Sequence, residues 1–214
     1  MGLQNYEGGK YITIYNGKLT QRVQEDTQGA VSRVNKNNKT VFEKYYDAFT
    51  GKLVGIKTQE GEYGKNWLFS FKDKEDVYNL QLGYSNNYAV NLIKMLPNVD
   101  LSKEMKVSPK SEVKDGKTQT TLFINQDGKP VKHAYTKDNP NGIPQWEQIT
   151  VKGVKVWDNT KQMLFLENMV MTEIVPKLEG VPVNENKGGQ TAQDDYDTLG
   201  TPENNEINPD DVAF

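Results

Sequence analysis

Runs of β-branched and aromatic residues, broken at short intervals by turn dipeptides, constrain this chain more than any other feature. Tyr11, Thr13 and Tyr15 alternate with Ile12 and Ile14, and Asn16-Gly17 follows at once. A period of two is the signature of a half-buried strand, and Asn-Gly tolerates the positive φ that a two-residue hairpin turn demands. Residues 19–24 are therefore the predicted return strand. The same logic pairs residues 40–49 with 52–59 across Thr50-Gly51, and 66–72 with 77–83 across the charged turn at 73–76. Three successive hairpins make an antiparallel meander. A further hairpin joins 105–113 to 117–125 around Asp115-Gly116, and Gln126-Asp127-Gly128 turns the chain into a strand at 131–135.

Two helices interrupt this pattern. Ser85 is the predicted N-cap of the first, in which Tyr88, Leu92 and Met95 lie at helical spacing beside Val90, Ile93 and Leu96 until Pro97 ends it. Residues 138–144 are dense in Asn, Pro and Gly and read as a loop, and 148–157 reads as one strand. Asn159-Thr160-Lys161-Gln162 has the capping-box pattern for a helix over 160–175, closed by Pro176; a buried strand through 163–166 is the competing reading.

Composition divides the chain at Leu178. Of 29 Asp and Glu and 26 Lys and Arg in 214 residues, residues 179–214 hold 9 acids and one Lys, which leaves 20 acids and 25 basic side chains in residues 1–178. A basic body beside an acidic tail points to a nucleic-acid partner, because the body attracts phosphate and the tail can imitate it. The tail is Gly, Asn, Gln, Asp, Glu and Pro with little to bury, so it is predicted to be disordered. The predicted organisation is one β-rich domain over 1–178 and a flexible tail over 179–214.

The same counts narrow the chemistry. With no cysteine, disulfides, thiolate nucleophiles and cysteine-held metals are excluded, and a reducing cytoplasm is the expected compartment. Neither a secretory signal nor an apolar run of membrane-spanning length is seen, so a soluble protein without a membrane partner is expected. His133 is the only histidine and stands in a predicted exposed strand without a second ligand. No phosphate-binding glycine loop and no nucleophile elbow is present, and Glu60, Glu62, Asp73, Glu75 and Asp76 fall in turns. The expectation is a protein that is not an enzyme and needs no cofactor or metal.

Aromatic and basic residues interleave on the predicted strands. Phe42, Lys44 and Tyr46 share one face, Tyr45 and Phe49 the other, and Trp67, Phe69 and Phe71 share a face of a later strand. A core is the ordinary destination of about half of these rings; an outward ring near Arg22, Arg33, Lys36, Lys39, Lys44 or Lys57 can stack on a base.

The chain closes on Asp210-Asp211-Val212-Ala213-Phe214, after Asp194, Asp195, Asp197, Glu203 and Glu206. Acidic tails that end Asp-Asp-Xaa-Xaa-Phe resemble those of bacterial and bacteriophage single-stranded DNA-binding proteins. Gly83-Tyr84-Ser85 and the stretch from Leu96-Pro97-Asn98 to Ser102-Lys103 also look like phage-encoded members. Val212-Ala213 stands where bacterial tails usually carry Ile-Pro.

The resemblance implies a mainly β, OB-fold antiparallel barrel, here elaborated by extra hairpins and two helices, that holds single-stranded DNA in a basic, aromatic groove. It implies a role in phage DNA replication, recombination or repair in the host cytoplasm, with Asp210, Asp211, Val212, Ala213 and Phe214 recruiting replication and recombination proteins. On this reading Arg22, Arg33, Lys36, Lys44, Tyr46, Lys57, Trp67, Phe69, Tyr84 and Trp157 form the DNA-binding set, and a homo-oligomer is compatible with it. The rival is a viral structural or scaffolding protein, or a protein-interaction module, built on a generic sandwich or jelly roll. A metal-dependent nuclease ranks third.

Overall fold

The computed structural model describes residues 10–35, 37–61 and 64–178. Their strands are β1 (Lys10–Tyr15), β2 (Lys18–Val23), β3 (Val31–Val34), β4 (Thr40–Tyr46), β5 (Phe49–Gly61), β6 (Gly64–Asp73), β7 (Asp76–Gly83), β8 (Glu104–Lys114), β9 (Lys117–Gln126), β10 (Lys129–Pro130), β11 (Glu147–Val151) and β12 (Val154–Asp158). The first ten form one mixed sheet in the order β10-β9-β8-β5-β6-β7-β1-β2-β4-β3, and β11 and β12 pair only with each other. Helix α1 (Asn87–Met95) connects β7 to β8, and α2 (Thr160–Met169) follows β12 and runs on through a π turn (Val170–Ile174) and a 3-10 turn (Val175–Lys177).

Several turns follow from local chemistry. Asn16 and Gly17 adopt φ of 48° and 73°, and Asp115 and Gly116 adopt 52° and 75°, the left-handed pairs that close two-residue hairpins. Gly17 answers a second demand. A Cβ on it would stand 2.4 Å from the backbone N of Ser111 in β8, so the first hairpin is pressed against a strand from which β7, β6 and β5 separate it in the sheet. The sheet is therefore strongly curled.

It does not close. The expected closed barrel is not found: β10 and β3 are the edges, and no ladder joins β2 to β8 because the free edge of β2 is taken by β4. Curvature comes from β5, which pairs with β8 through Phe49–Lys52 and with β6 from Lys52 to Gly61, with a bulge between Leu53 and Gly55.

The meander is corrected in the same way. β4 pairs with β2 and β3, not with β5, and β1 runs parallel to β7. Thr50 and Gly51 are no turn; they sit inside β5 opposite Lys106 and Met105. Gly51 is a packing glycine, since a Cβ there would meet the Phe49 ring at 2.8 Å and the Lys72 carbonyl oxygen at 3.0 Å. The predicted strand at 148–157 is a hairpin whose turn, Lys152-Gly153, also has positive φ. Past Pro130 the predicted strand at 131–135 carries no ladder, although Val131 N still donates to the Ile124 carbonyl at 2.8 Å.

Residues 160–169 are helical, which decides against a buried strand at 163–166. The N-cap of α1 is Asn86 rather than Ser85, its side chain accepting from Tyr88 N at 2.8 Å. Every residue of α1 after Asn87 is buried. The core lies on one face of the curled sheet, where Ile12, Leu19, Leu53, Ile56, Trp67, Phe69, Phe71, Leu80 and Leu82 meet α1, then Met105, Val107, Leu122 and Ile124, and finally Met163, Leu166 and Met169 of α2.

Candidate nucleic-acid interface

Ladder register sorts each strand residue to one side of the sheet. Trp67 stands opposite Leu82 and Thr58, and Phe69 opposite Leu80 and Ile56, which fixes the core face. The opposite face then carries Tyr11, Thr13 and Tyr15 of β1, Lys18, Thr20 and Arg22 of β2, Arg33 of β3, and Val41, Glu43 and Tyr45 of β4. It continues with Lys52 and Lys57 of β5, Asn66, Leu68, Ser70 and Lys72 of β6, and Asn79 and Gln81 of β7.

Charge divides unevenly between the two faces. On β1–β7, the described residues of the opposite face include the cations Lys18, Arg22, Arg33, Lys52, Lys57 and Lys72, and Glu43 is the one acid. Between them lies a floor that is polar where a core would be apolar. Thr13 Oγ1 donates to the Gln81 carbonyl at 3.1 Å, and Ser70 Oγ donates to Asn79 Oδ1 at 2.7 Å. The buried Gln81 side-chain oxygen accepts no hydrogen bond.

Glu43 organises one end of this face. It is fully buried; Arg33 donates to its two oxygens at 3.2 and 2.9 Å, the Tyr45 hydroxyl donates at 2.8 Å, and Arg22 Nη2 lies 3.9 Å away. A buried carboxylate is tolerable only with such partners, and two arginines leave the cluster cationic. Burial, with the hydrogen bond to Glu43 second, pushes the Tyr45 hydroxyl up to about 12, so it remains a donor at neutral pH. The Arg33 guanidinium also sits 5.3 Å from the Tyr15 ring centroid. Burial likewise raises Tyr11.

The residues singled out from the sequence do not share one surface. Arg22, Arg33 and Lys57 lie on the opposite face, with both arginines turned toward Glu43. Trp67 and Phe69 lie in the core at 0% exposure and are corrected: they stack on each other at 6.0 Å, and neither ring can meet a base while the protein is folded. Lys44 and Tyr46 share that core-facing side but near the sheet edge, where Tyr46 lines a cavity of about 140 Å³ with Ile12, Leu19, Ala48, Phe49, Asp73 and Tyr78. Trp157 projects from β12 at 38% exposure, in the separate two-stranded sheet rather than in the sheet that carries the cationic face.

Tyr84 is a structural residue. Its ring stacks on Trp67 at 5.6 Å and 11°, Lys65 Nζ lies 4.6 Å from its centroid, and its hydroxyl donates to Glu167 at 2.6 Å. Burial and the Glu167 carboxylate push its hydroxyl well above the ordinary tyrosine range. Lys36 and the tail residues Asp210, Asp211, Val212, Ala213 and Phe214 lie outside the described residues.

Sequence reasoning passed over Tyr11, Tyr15, Lys18, Tyr45, Lys52 and Lys72 as interface residues. The signal was the alternation of β1: once Ile12 and Ile14 are assigned inward, Tyr11 and Tyr15 must face away. Among the described residues no group of three or more His, Asp or Glu could hold a metal ion, and no helix is long and apolar enough to cross a membrane. Comparison with protein-family models, curated proteins and solved structures returned no match.

Proposed function

We propose that this chain binds single-stranded DNA without catalysis along the face that carries Tyr11, Tyr15, Tyr45, Lys52, Lys57 and Lys72. The observation that carries this reading is the segregation of charge on the sheet, with cations gathered on the non-core side around exposed and half-exposed tyrosines. Lysines and arginines displace counterions from phosphates, and rings stack on bases without regard to sequence. An OB-type reading is supported by β5, which bends to pair with β6 and β8, and by α1 between β7 and β8; the outer face of the second and third strands is where such folds take oligonucleotides. In that frame β6 and β7 support the face from below: Asn66, Leu68, Ser70, Asn79 and Gln81 are buried, and Lys72 is the cation these strands expose to DNA.

The acidic tail competes with DNA for the cationic face, and Phe214 is released to replication and recombination proteins when DNA displaces it. The test is fluorescence anisotropy of a labelled poly(dT) strand against the full chain and a version ending at Leu178, across a salt series. Both should bind, weaken with salt, and show tighter binding after truncation. Absence of binding even at low salt sinks the reading.

A further inference from the structure

We infer that the β11–β12 hairpin is a self-association surface, and that its partner is the same hairpin of a second copy of this chain. It is the one place among the described residues where a strand pair forms its own sheet. Register puts Ile149 opposite Val156 and Val151 opposite Val154, so four β-branched side chains share one face, while Gln148, Thr150, Lys155 and Trp157 take the other. All four are exposed, Val154 most at 63% and Val151 at 47%. Isolated two-stranded hairpins are marginal in water, and an apolar face left exposed among the described residues makes this one more so.

Charge along the hairpin selects the occupant. Its base carries Glu147 and Asp158 on the valine face, with Lys161 bound to Glu147 at 2.7 Å, so the base keeps one net negative charge. Its tip carries Lys152, with Lys155 beside it. Two copies packed face to face about a two-fold axis perpendicular to the strands run antiparallel, which covers valine with valine and sets each cationic tip by the other's acidic base. No other surface need be assumed.

The size of the patch sets the strength. Five-residue strands span about 17 Å, so the shared face falls short of the roughly 800 Å² per partner of a standard interface. The dimer is therefore weak and dependent on concentration. It does not depend on the single-strand reading above.

Sedimentation velocity of the full chain tests it, at concentrations rising to roughly millimolar, where an interface this small is populated. The mean mass should climb from monomer toward dimer. Val154→Asp should raise the dimer Kd at least tenfold, Lys152→Glu several-fold, and Val31→Asp, on the exposed edge strand β3, should change nothing. Matching unfolding midpoints establish that the variants fold. Monomer mass throughout overturns the proposal, as does association abolished in Val31→Asp but kept in Val154→Asp. It also falls if Val154→Asp leaves the mass curve alone and instead weakens poly(dT) binding, which would assign the hairpin to nucleic acid.

Discussion

The two sides of β6 solve different problems with the same backbone. Toward the core it sends Trp67, Phe69 and Phe71, and toward the other side Asn66, Leu68, Ser70 and Lys72, with all but Lys72 buried. On the core side burial is bought with apolar area and ring stacking, and the one side-chain polar group among those three rings, the Trp67 indole N–H, donates to the Tyr84 carbonyl at 3.0 Å. The opposite side instead keeps hydroxyls, amides and a carboxylate, held by Ser70 to Asn79, Thr13 to the Gln81 backbone, and Arg33 with Tyr45 to Glu43. Aromatic content does not separate the faces, since Tyr11, Tyr15 and Tyr45 lie on one and Trp67 and Phe69 on the other. Charge does. A ring is informative about recognition only when cations share its face.

Variants on the two faces should separate stability from affinity. The largest effect belongs to Phe69→Ala, which empties a fully buried site and should cost about 3 to 5 kcal/mol in denaturant unfolding. At temperatures where the variant stays folded its poly(dT) affinity should match the parent; a selective loss of affinity would return Phe69 to the interface. Next, the pair Lys57→Glu and Lys72→Glu on the opposite face should leave the unfolding midpoint nearly unchanged. The same pair should weaken poly(dT) binding by tenfold or more, with the salt slope falling by about 0.7 for each phosphate left unneutralised. Unaltered affinity would remove β5 and β6 from the interface.

The smallest effect is at the end of the core face, where α2 is tied down by Glu167. Burial tends to raise its carboxyl, but hydrogen bonds from Lys65 at 2.6 Å and from Tyr84 hold it below the ordinary glutamate value. A carboxyl lowered in the folded state stabilises fully above its unfolded pKa, and that contribution is lost as pH falls through the folded value. Glu167→Gln should therefore flatten the acid limb of the stability profile and leave poly(dT) binding at neutral pH intact. An unchanged limb would place the acid sensitivity elsewhere.

Much of the fold was legible where the cause is local. Asn16-Gly17, Asp115-Gly116 and Asp127-Gly128 take the positive φ their residue types favour, and α1 ends at Met95, just ahead of Pro97, which lies in a 3-10 turn over Leu96–Asn98. Thr50-Gly51 misled because its glycine answers to the Phe49 ring rather than to a turn. Lys152-Gly153 was missed because lysine is an uncommon occupant of positive φ. Of the site, Arg22 and Lys57 were legible as cations on strands and Arg33 as a cation only, its strand β3 lying between the predicted strands at 19–24 and 40–49, whereas Lys18, Lys52, Lys72 and the tyrosines of β1 became visible only when one face was known to be core.

By itself the sequence determined strand and helix types, most hairpin turns, the break in composition at Leu178 and the excess of cations before it. Tertiary structure alone decided which face of each strand is buried, because a period of two states that alternate residues are equivalent but not which set points inward. It also decided that β1 lies parallel to β7, that β4 leaves β5 for β2, and that the curled sheet stays open. Those choices depend on partners distant along the chain, and no local spacing encodes them.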